Sequence, residues 1–441
     1  MDRFYGKKLL VLGGFHQHCK VVETAKRLGL TVLVADYYPI ERAPAKQIAD
    51  HAFEIDVFDV DALYRLCKDE KVDGVINVCS DAAQHPYQQL CERLEFPCFG
   101  TAEQYRKFSD KRLFKKMCEE NGVGVIPGYR PEDFEDEVSA RNISFPVFIK
   151  PCDSRGSRGQ TICYTLAEAK EAIAIARSNS RSGNVIIEQY FGDKPDFSMA
   201  YLVVNGKPIL IRATDRFLGS KADKMNRSAI GALTPSVYSD LFLQTTAKRI
   251  ERMILSAGIQ NGPIFAQGFV DGNTFRFYDP GLRFPGAEYE RQYKSIYGAD
   301  LMEALIEFAI TGSISPKFET LDKTANLRGN FAFTLFVPIL PGTIASITGL
   351  EEIKAIPGVI SVFTDYSVGD TVGAHYNASQ RLGEIDFIGS SIESLQDILY
   401  KIYDTLTVLD EHGQNMVFSK FDPKLLDNQR FSIDFLCSHS R

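Results

Sequence analysis

Between two short apolar runs, 145–149 and 161–164, the chain reads Lys150-Pro-Cys-Asp-Ser-Arg-Gly-Ser-Arg-Gly-Gln160. Glycines let backbone N–H groups approach a ligand closely, and lysine and arginine place positive charge beside it. That composition suits a phosphate. Neither GxxxxGK[ST] nor GxGxxG is present, so the loop has to be interpreted with the other polar groups of the chain. Three sets stand around it in order: Ser109-Asp110-Lys111; Glu188-Gln189-Tyr190-Phe191 with Gly192 and Asp196; and Gln267, Asp279, Gly281 and Arg283.

Other polar residues read more plainly. His16-Gln17-His18 has no carboxylate partner in sequence and reads as a turn. Gly13-Gly14-Phe15-His16 lacks the third glycine of a dinucleotide fingerprint, so a structural strand-to-helix turn is the better reading. Ser80-Asp81 ends a strand, where open α/β sheets bind ligands, and is equally a plain helix cap. Lys221, Lys224 and Arg227 lie in a polar segment, 219–231, that reads either as a loop reaching phosphate or substrate or as a solvated one.

The elements that must position these groups show in the periodicity. Residues 8–13, 31–36 and 73–79 are apolar strand-like runs, with helical spacing over 19–28 stopped by Gly29. This βαβ rhythm predicts a parallel sheet covered by helices. Ser109 is expected to cap a helix with Leu113, Phe114, Met117 and Cys118 on one face, and Thr165-x-x-Glu168 is a capping box. Strands are expected over 185–191, 197–204, 207–213 and 274–278, with hairpin signals at Asn205-Gly206 and Asp271-Gly272-Asn273. Helices are expected over 240–257 and 300–312. From about 316 the texture changes to a separate α+β module: strands at 331–337 and 358–363, a turn at 340–343, a short helix at 349–356, and a helix capped by Ser390-x-x-Glu393.

The 441 residues allow several domains. A net charge of -7 argues against a broad nucleic-acid surface, and no apolar run is long enough for a membrane span. The N-terminal apolar stretch is too short for a signal peptide. Nine cysteines without a CxxC pair read as reduced, mostly buried thiols, and a cytoplasmic location is expected.

Taken in order, these motifs resemble the ATP-grasp superfamily of carboxylate ligases over residues 8–313, and the last module resembles the C-terminal domain of L-amino-acid ligases. Biotin carboxylase and D-alanine–D-alanine ligase are more distant members. The fold this implies is mixed α/β and α+β: a Rossmann-like parallel-sheet domain over 1–105, an ATP-grasp domain over 106–315 with a lid lobe at about 125–190, and a C-terminal α+β domain over 316–441. The resemblance implies that Lys111 and Lys150 meet the phosphates of ATP. Ser154, Gly156, Ser157 and Gly159 would form a lid over the triphosphate, aided by Arg155 and Arg158. Glu188, Gln189 and Phe191 would lie on the adenine-binding hinge, with Asp196 at the ribose. Asp279 and Gln267 would hold Mg²⁺, a hard cation that prefers oxygen ligands. Here the sequence departs from its relatives, because Gln267 stands where they carry an acid and Gly281 where they carry asparagine. Arg283 and Lys150 would be catalytic.

The activity implied is ATP-dependent carboxylate–amine ligation through an acyl phosphate, with ADP and phosphate released. The alternatives are a bicarbonate-using, biotin-carboxylase-like enzyme and a non-catalytic ATP-binding protein. The implied partners are a small carboxylate and an amine, with a second copy of the chain as the candidate protein partner and neither nucleic acid nor membrane.

Overall fold

The computed structural model describes residues 3–151, 160–180, 183–192, 194–225, 228–287 and 289–427. The predicted lid residues Ser154, Gly156, Ser157 and Gly159 lie outside these, as do Arg155, Arg158 and Arg227.

The N-terminal run builds a four-stranded parallel sheet in the order His51–Glu54, Thr31–Asp36, Lys8–Leu12, Gly74–Ile76. Its central strands are nearly continuous apolar sequence because helices cover both faces of a parallel sheet. The strand His51–Glu54 was not expected; it is a short edge strand, largely exposed, in which only Phe53 packs partly against the core. The strand expected over 73–79 stops at Ile76, since Asn77 turns the chain by bonding the backbone of Ser80 in both directions, at 2.9 and 3.2 Å.

A second, four-stranded antiparallel sheet has the order Gly128–Tyr129, Val185–Gln189, Val147–Pro151, Thr161–Cys163. The helix Leu166–Ser178 packs on it, and together they bury a separate small core that includes Phe134, Ile149, Ala172 and Ile187. Thr165 caps this helix as expected.

The largest sheet is antiparallel and eight-stranded. Its order is Thr274–Gly281, Gly262–Asp271, Asp196–Val204, Lys207–Leu218, Ala229–Thr234, Phe331–Pro338, Arg381–Gly389, Val359–Thr364. The Asn205-Gly206 hairpin forms with positive φ at both central residues, the requirement of a type I′ turn. This sheet runs without a break from the expected ATP-grasp region into the expected C-terminal one, through the pairing of Gly231 with Leu335. A smaller three-stranded sheet and the helix Ile392–Thr405 complete the C-terminal part.

Three local expectations are corrected. Ser109 ends the helix Ala102–Ser109, begun by the Thr101 and Gln104 capping box; Asp110 caps the next one, Lys111–Glu120. The C-terminal helix is capped by Ser391 with Ser394, not by Ser390 with Glu393, because strand pairing persists through Gly389 and delays the turn. The helix expected over 240–257 is broken at Thr246 into Ser239–Thr245 and Ala247–Ser256.

Candidate active site

A cleft of about 320 Å³ lies between the four-stranded antiparallel sheet and the eight-stranded one. Nine residues singled out in the sequence line it: Lys111, Lys150, Glu188, Gln189, Tyr190, Phe191, Gly192, Asp196 and Gln267. They come from one helix start and four strands or strand ends that are far apart in the chain.

Lys111 is the first residue of its helix. The Asp110 carboxylate accepts hydrogen bonds from the N–H groups of Arg112 and Leu113, at 2.8 and 3.4 Å. The cap therefore fixes where this helix begins, and its N-terminus, a favourable place for anions, lies at the cleft.

Lys150 is the last residue but one of its strand, opposite Ile186, and its Nζ lies 3.0 Å from Glu188 Oε2. Lys115, a residue the sequence reading passed over, bonds the other oxygen of Glu188 and also the Ile126 carbonyl at 3.1 Å. Glu188 is thus a buried carboxylate held by two lysines. Burial raises its pKa, but Lys150 and Lys115 outweigh that and keep it below the ordinary carboxylate range. Burial also lowers the pKa of Lys150, against the opposing pull of Glu188. Lys150 is therefore a partly desolvated cation that, among the described residues, pairs with one carboxylate, Glu188.

On the hinge, the Gln189 N–H donates to the Pro127 carbonyl at 2.9 Å and the Tyr190 N–H to that of Pro146 at 2.8 Å. Those two groups are committed within the sheet. Phe191, Phe269 and Tyr278 form an aromatic row, with stacked centroids 6.2 and 5.0 Å apart.

Asp196 makes a forked ion pair with Arg216 Nη1, both contacts at 3.0 Å. Burial raises the Asp196 pKa by more than Arg216 lowers it. Arg216 also lines the cleft and was missed, because the strand was expected to stop at Ala213 and in fact continues to Leu218.

Gln267 and Asp279 face each other across neighbouring strands. Asp279 lies 3.7 Å from Lys111, and the Tyr278 hydroxyl donates to the Gln267 side-chain oxygen at 3.4 Å. Among the described residues no group of three or more His, Cys, Asp or Glu side chains could hold a metal ion. One carboxylate and one amide oxygen on adjacent strands fit a magnesium ion that arrives with most of its ligands on a nucleotide, and not a protein-built cage.

Arg283 follows the same strand and is buried. Its Nε and Nη2 both bond Asp81, the latter at 2.6 Å; Nη1 donates to the Phe284 carbonyl at 2.9 Å, and the guanidinium lies 4.7 Å over the Phe265 ring. Asp81 stands past the end of the parallel-sheet strand Gly74–Ile76, and the Ser80 hydroxyl accepts from the Ala83 N–H at 3.3 Å at the start of the next helix, so the pair shows both strand-end and cap character. His16-Gln17-His18 forms one short turn of helix, as read.

Two family models match the chain: "Carbamoyl-phosphate synthase L chain, ATP binding domain" over residues 110–202, and "L-amino acid ligase C-terminal domain 2" over residues 335–409. A curated relative, the formate-dependent phosphoribosylglycinamide formyltransferase of Maridesulfovibrio salexigens, is 30% identical over 189 residues, which is 42% of this chain and 47% of that protein. The chain thus spans about half the length of that relative. The crystal structure of L-amino acid ligase from Bacillus licheniformis superposes with a TM-score of 0.74 at 19% identity, covering 92% of this chain and 99% of that one. The biotin carboxylase domain of Hydrogenobacter thermophilus 2-oxoglutarate carboxylase, solved with MgADP, ADP and bicarbonate, superposes with a TM-score of 0.73 at 17% identity, covering 98% and 97%. The chain has the ATP-grasp fold, preceded by a parallel-sheet domain and followed by a segment of the L-amino acid ligase C-terminal type.

Proposed function

We propose that the protein is an ATP-dependent carboxylate–amine ligase. The observation that carries this reading is the cleft in which Lys111, Lys150, Glu188 and Asp196 converge between two antiparallel sheets, with Asp279 and Arg283 in sequence behind it. A carboxylate is a poor electrophile because its leaving group would be oxide. In the proposed reaction a carboxylate oxygen attacks the γ-phosphorus of ATP and ADP leaves. The amine nitrogen then attacks the acyl carbon, phosphate leaves, and the amine gives up its proton.

The protein's share is positioning and charge neutralisation. Lys111 and Lys150 would bind the phosphates, with Glu188 keeping Lys150 at the strand end. Phe191 and the aromatic row would take the base, leaving the committed N–H of Gln189 to the sheet. Asp196, already paired with Arg216, would face the ribose. Asp279 and Gln267 would hold Mg²⁺, which offsets phosphate charge when bound. Arg283 would meet the reacting carboxylate and its tetrahedral intermediate, since a planar fork matches such oxyanions. The loop with Ser154, Gly156, Ser157 and Gly159 would cover the triphosphate and exclude water, which otherwise hydrolyses an acyl phosphate. A small carboxylate and an amine are the proposed substrates and a homodimer the proposed assembly.

The test is ADP release with each of the twenty amino acids as the acid, hydroxylamine as the trapping amine, and products weighed by mass spectrometry. At least one acid should give ADP and a hydroxamate in step. ADP release that no acid stimulates would overturn the ligase reading.

A further inference from the structure

The arginine proposed to meet the substrate is already occupied. Asp81 takes the Nε and Nη2 edge of Arg283, the edge with which a guanidinium forks a carboxylate. The two sides of this pair differ in exposure: the Asp81 side chain is 62% exposed, the Arg283 side chain 9%. Arg283 has other anchors, namely the Phe284 carbonyl and the Phe265 ring. Its orientation therefore does not hang on Asp81 alone, and Asp81 covers it from the solvent side.

The room for this contact comes from Gly281. A Cβ there would lie 3.7 Å from Asp81 Oδ1 and 3.1 Å from Arg283 Cγ, so any longer side chain would crowd the pair. Asp81 has a second partner, Gln84 Nε2, which donates at 2.9 Å to the same oxygen that accepts from Arg283 Nε.

We propose that Asp81 occupies the place of the substrate's carboxylate on Arg283, so that an acid substrate binds by exchanging with a resident one. This rests on the reading of Arg283 as the group that meets the reacting carboxylate. The exchange weakens the binding of every acid by the same factor, because each must displace the tethered carboxylate.

The experiment uses acetate as the probe, titrated calorimetrically into full-length protein saturated with MgADP, so it needs no turnover. Parent, Asp81→Asn, and Asp81→Asn with Arg283→Gln are compared, with thermal melting to confirm folding. Asparagine keeps the shape and the Gln84 contact but gives up the charge. Asp81→Asn should bind acetate about tenfold more tightly than the parent. The double variant should lose that gain. Unchanged or weaker binding in Asp81→Asn would mean that Asp81 orients Arg283 instead of occupying it. A gain that survives Arg283→Gln would place the acetate elsewhere. Either result overturns the proposal. Failure of the ligase reading shows separately, as ADP release that no acid stimulates.

Discussion

Lys150 and Glu188 show how much of a site one residue's surroundings decide. Lys150 is desolvated, and Glu188 is shared between it and Lys115. Lys150→Ala should leave a folded protein, since Lys115 still neutralises Glu188, but should weaken ATP binding and remove turnover; calorimetry with ATP and ADP release check both, and parental turnover would remove Lys150 from the phosphate site. Asp279 is the sharper case, being the one acid among the three positions, Gln267, Asp279 and Gly281, that the family resemblance aligns with a metal site. Asp279→Asn keeps the shape and loses the charge, so turnover should drop by about 10²-fold or more, roughly 3 kcal/mol of transition-state stabilisation. Gln267→Glu should be tolerated and lower the magnesium requirement. A magnesium titration at saturating ATP separates the two, and full activity in Asp279→Asn would end its assignment as a ligand. Lys111, Lys150 and Asp196 were legible through the order and spacing of the motifs that carry the family resemblance, and all three line the cleft. Arg216, Lys115 and the Asp81 partnership were not, since a cation in mid-strand or mid-helix carries no local mark and an ion pair across 202 residues leaves none at all.

At the scale of elements, the local rules worked where the backbone itself dictates the residue. Asn205-Gly206 at a turn with positive φ and Thr165 at a helix start are such places. They failed where two local signals compete. Ser109 and Asp110 are both good caps, and the choice fell to the aspartate because the Thr101 capping box had already begun a helix that ends at Ser109. The strand 51–54 stayed hidden because a short, largely exposed edge buries only part of Phe53, too little to show as periodicity. The Asp110 cap also serves the site, because it sets the register of the helix that carries Lys111 to the cleft. Asp110→Ala should cost about 1 kcal/mol of stability and weaken ATP binding by frayed positioning of Lys111. Asp110→Ser, another good cap, should restore both. Denaturant melts and ATP calorimetry on the two variants test this, and equal ATP affinity in Asp110→Ala and the parent would limit the cap to stability.

The whole molecule is tied together more closely than its changes of texture suggest. One sheet spans from the strand of Asp279 to that of Ser361, and the N-terminal turn reaches across to the far end of it. There His16 Nδ1 lies 2.9 Å from Asp365 and Nε2 3.5 Å from Glu384, with its ring stacked on Phe363. Arg291, over the same ring, and Arg381, in the strand of Glu384, are among the cations nearby. Burial alone would lower the His16 pKa, but the two carboxylates raise it to about 10. His18, two residues on, is buried without such partners and drops to about 4, chiefly by burial and then by Lys20. The signs are opposite. A histidine whose folded pKa is raised contributes stability that is complete below its unfolded value, near 6.5, and is lost as pH climbs through about 10. One whose folded pKa is lowered costs stability as pH falls from near 6.5 towards 4. Stability should therefore peak close to neutrality, with an alkaline decline that His16 carries in part. His16→Gln keeps a donor and removes the titration, so its melting temperature should start lower than the parent's near neutral pH and converge with it as pH approaches 10. Parallel melting curves for parent and variant across that range would show that the N-terminal turn is not held to the C-terminal strands by charge.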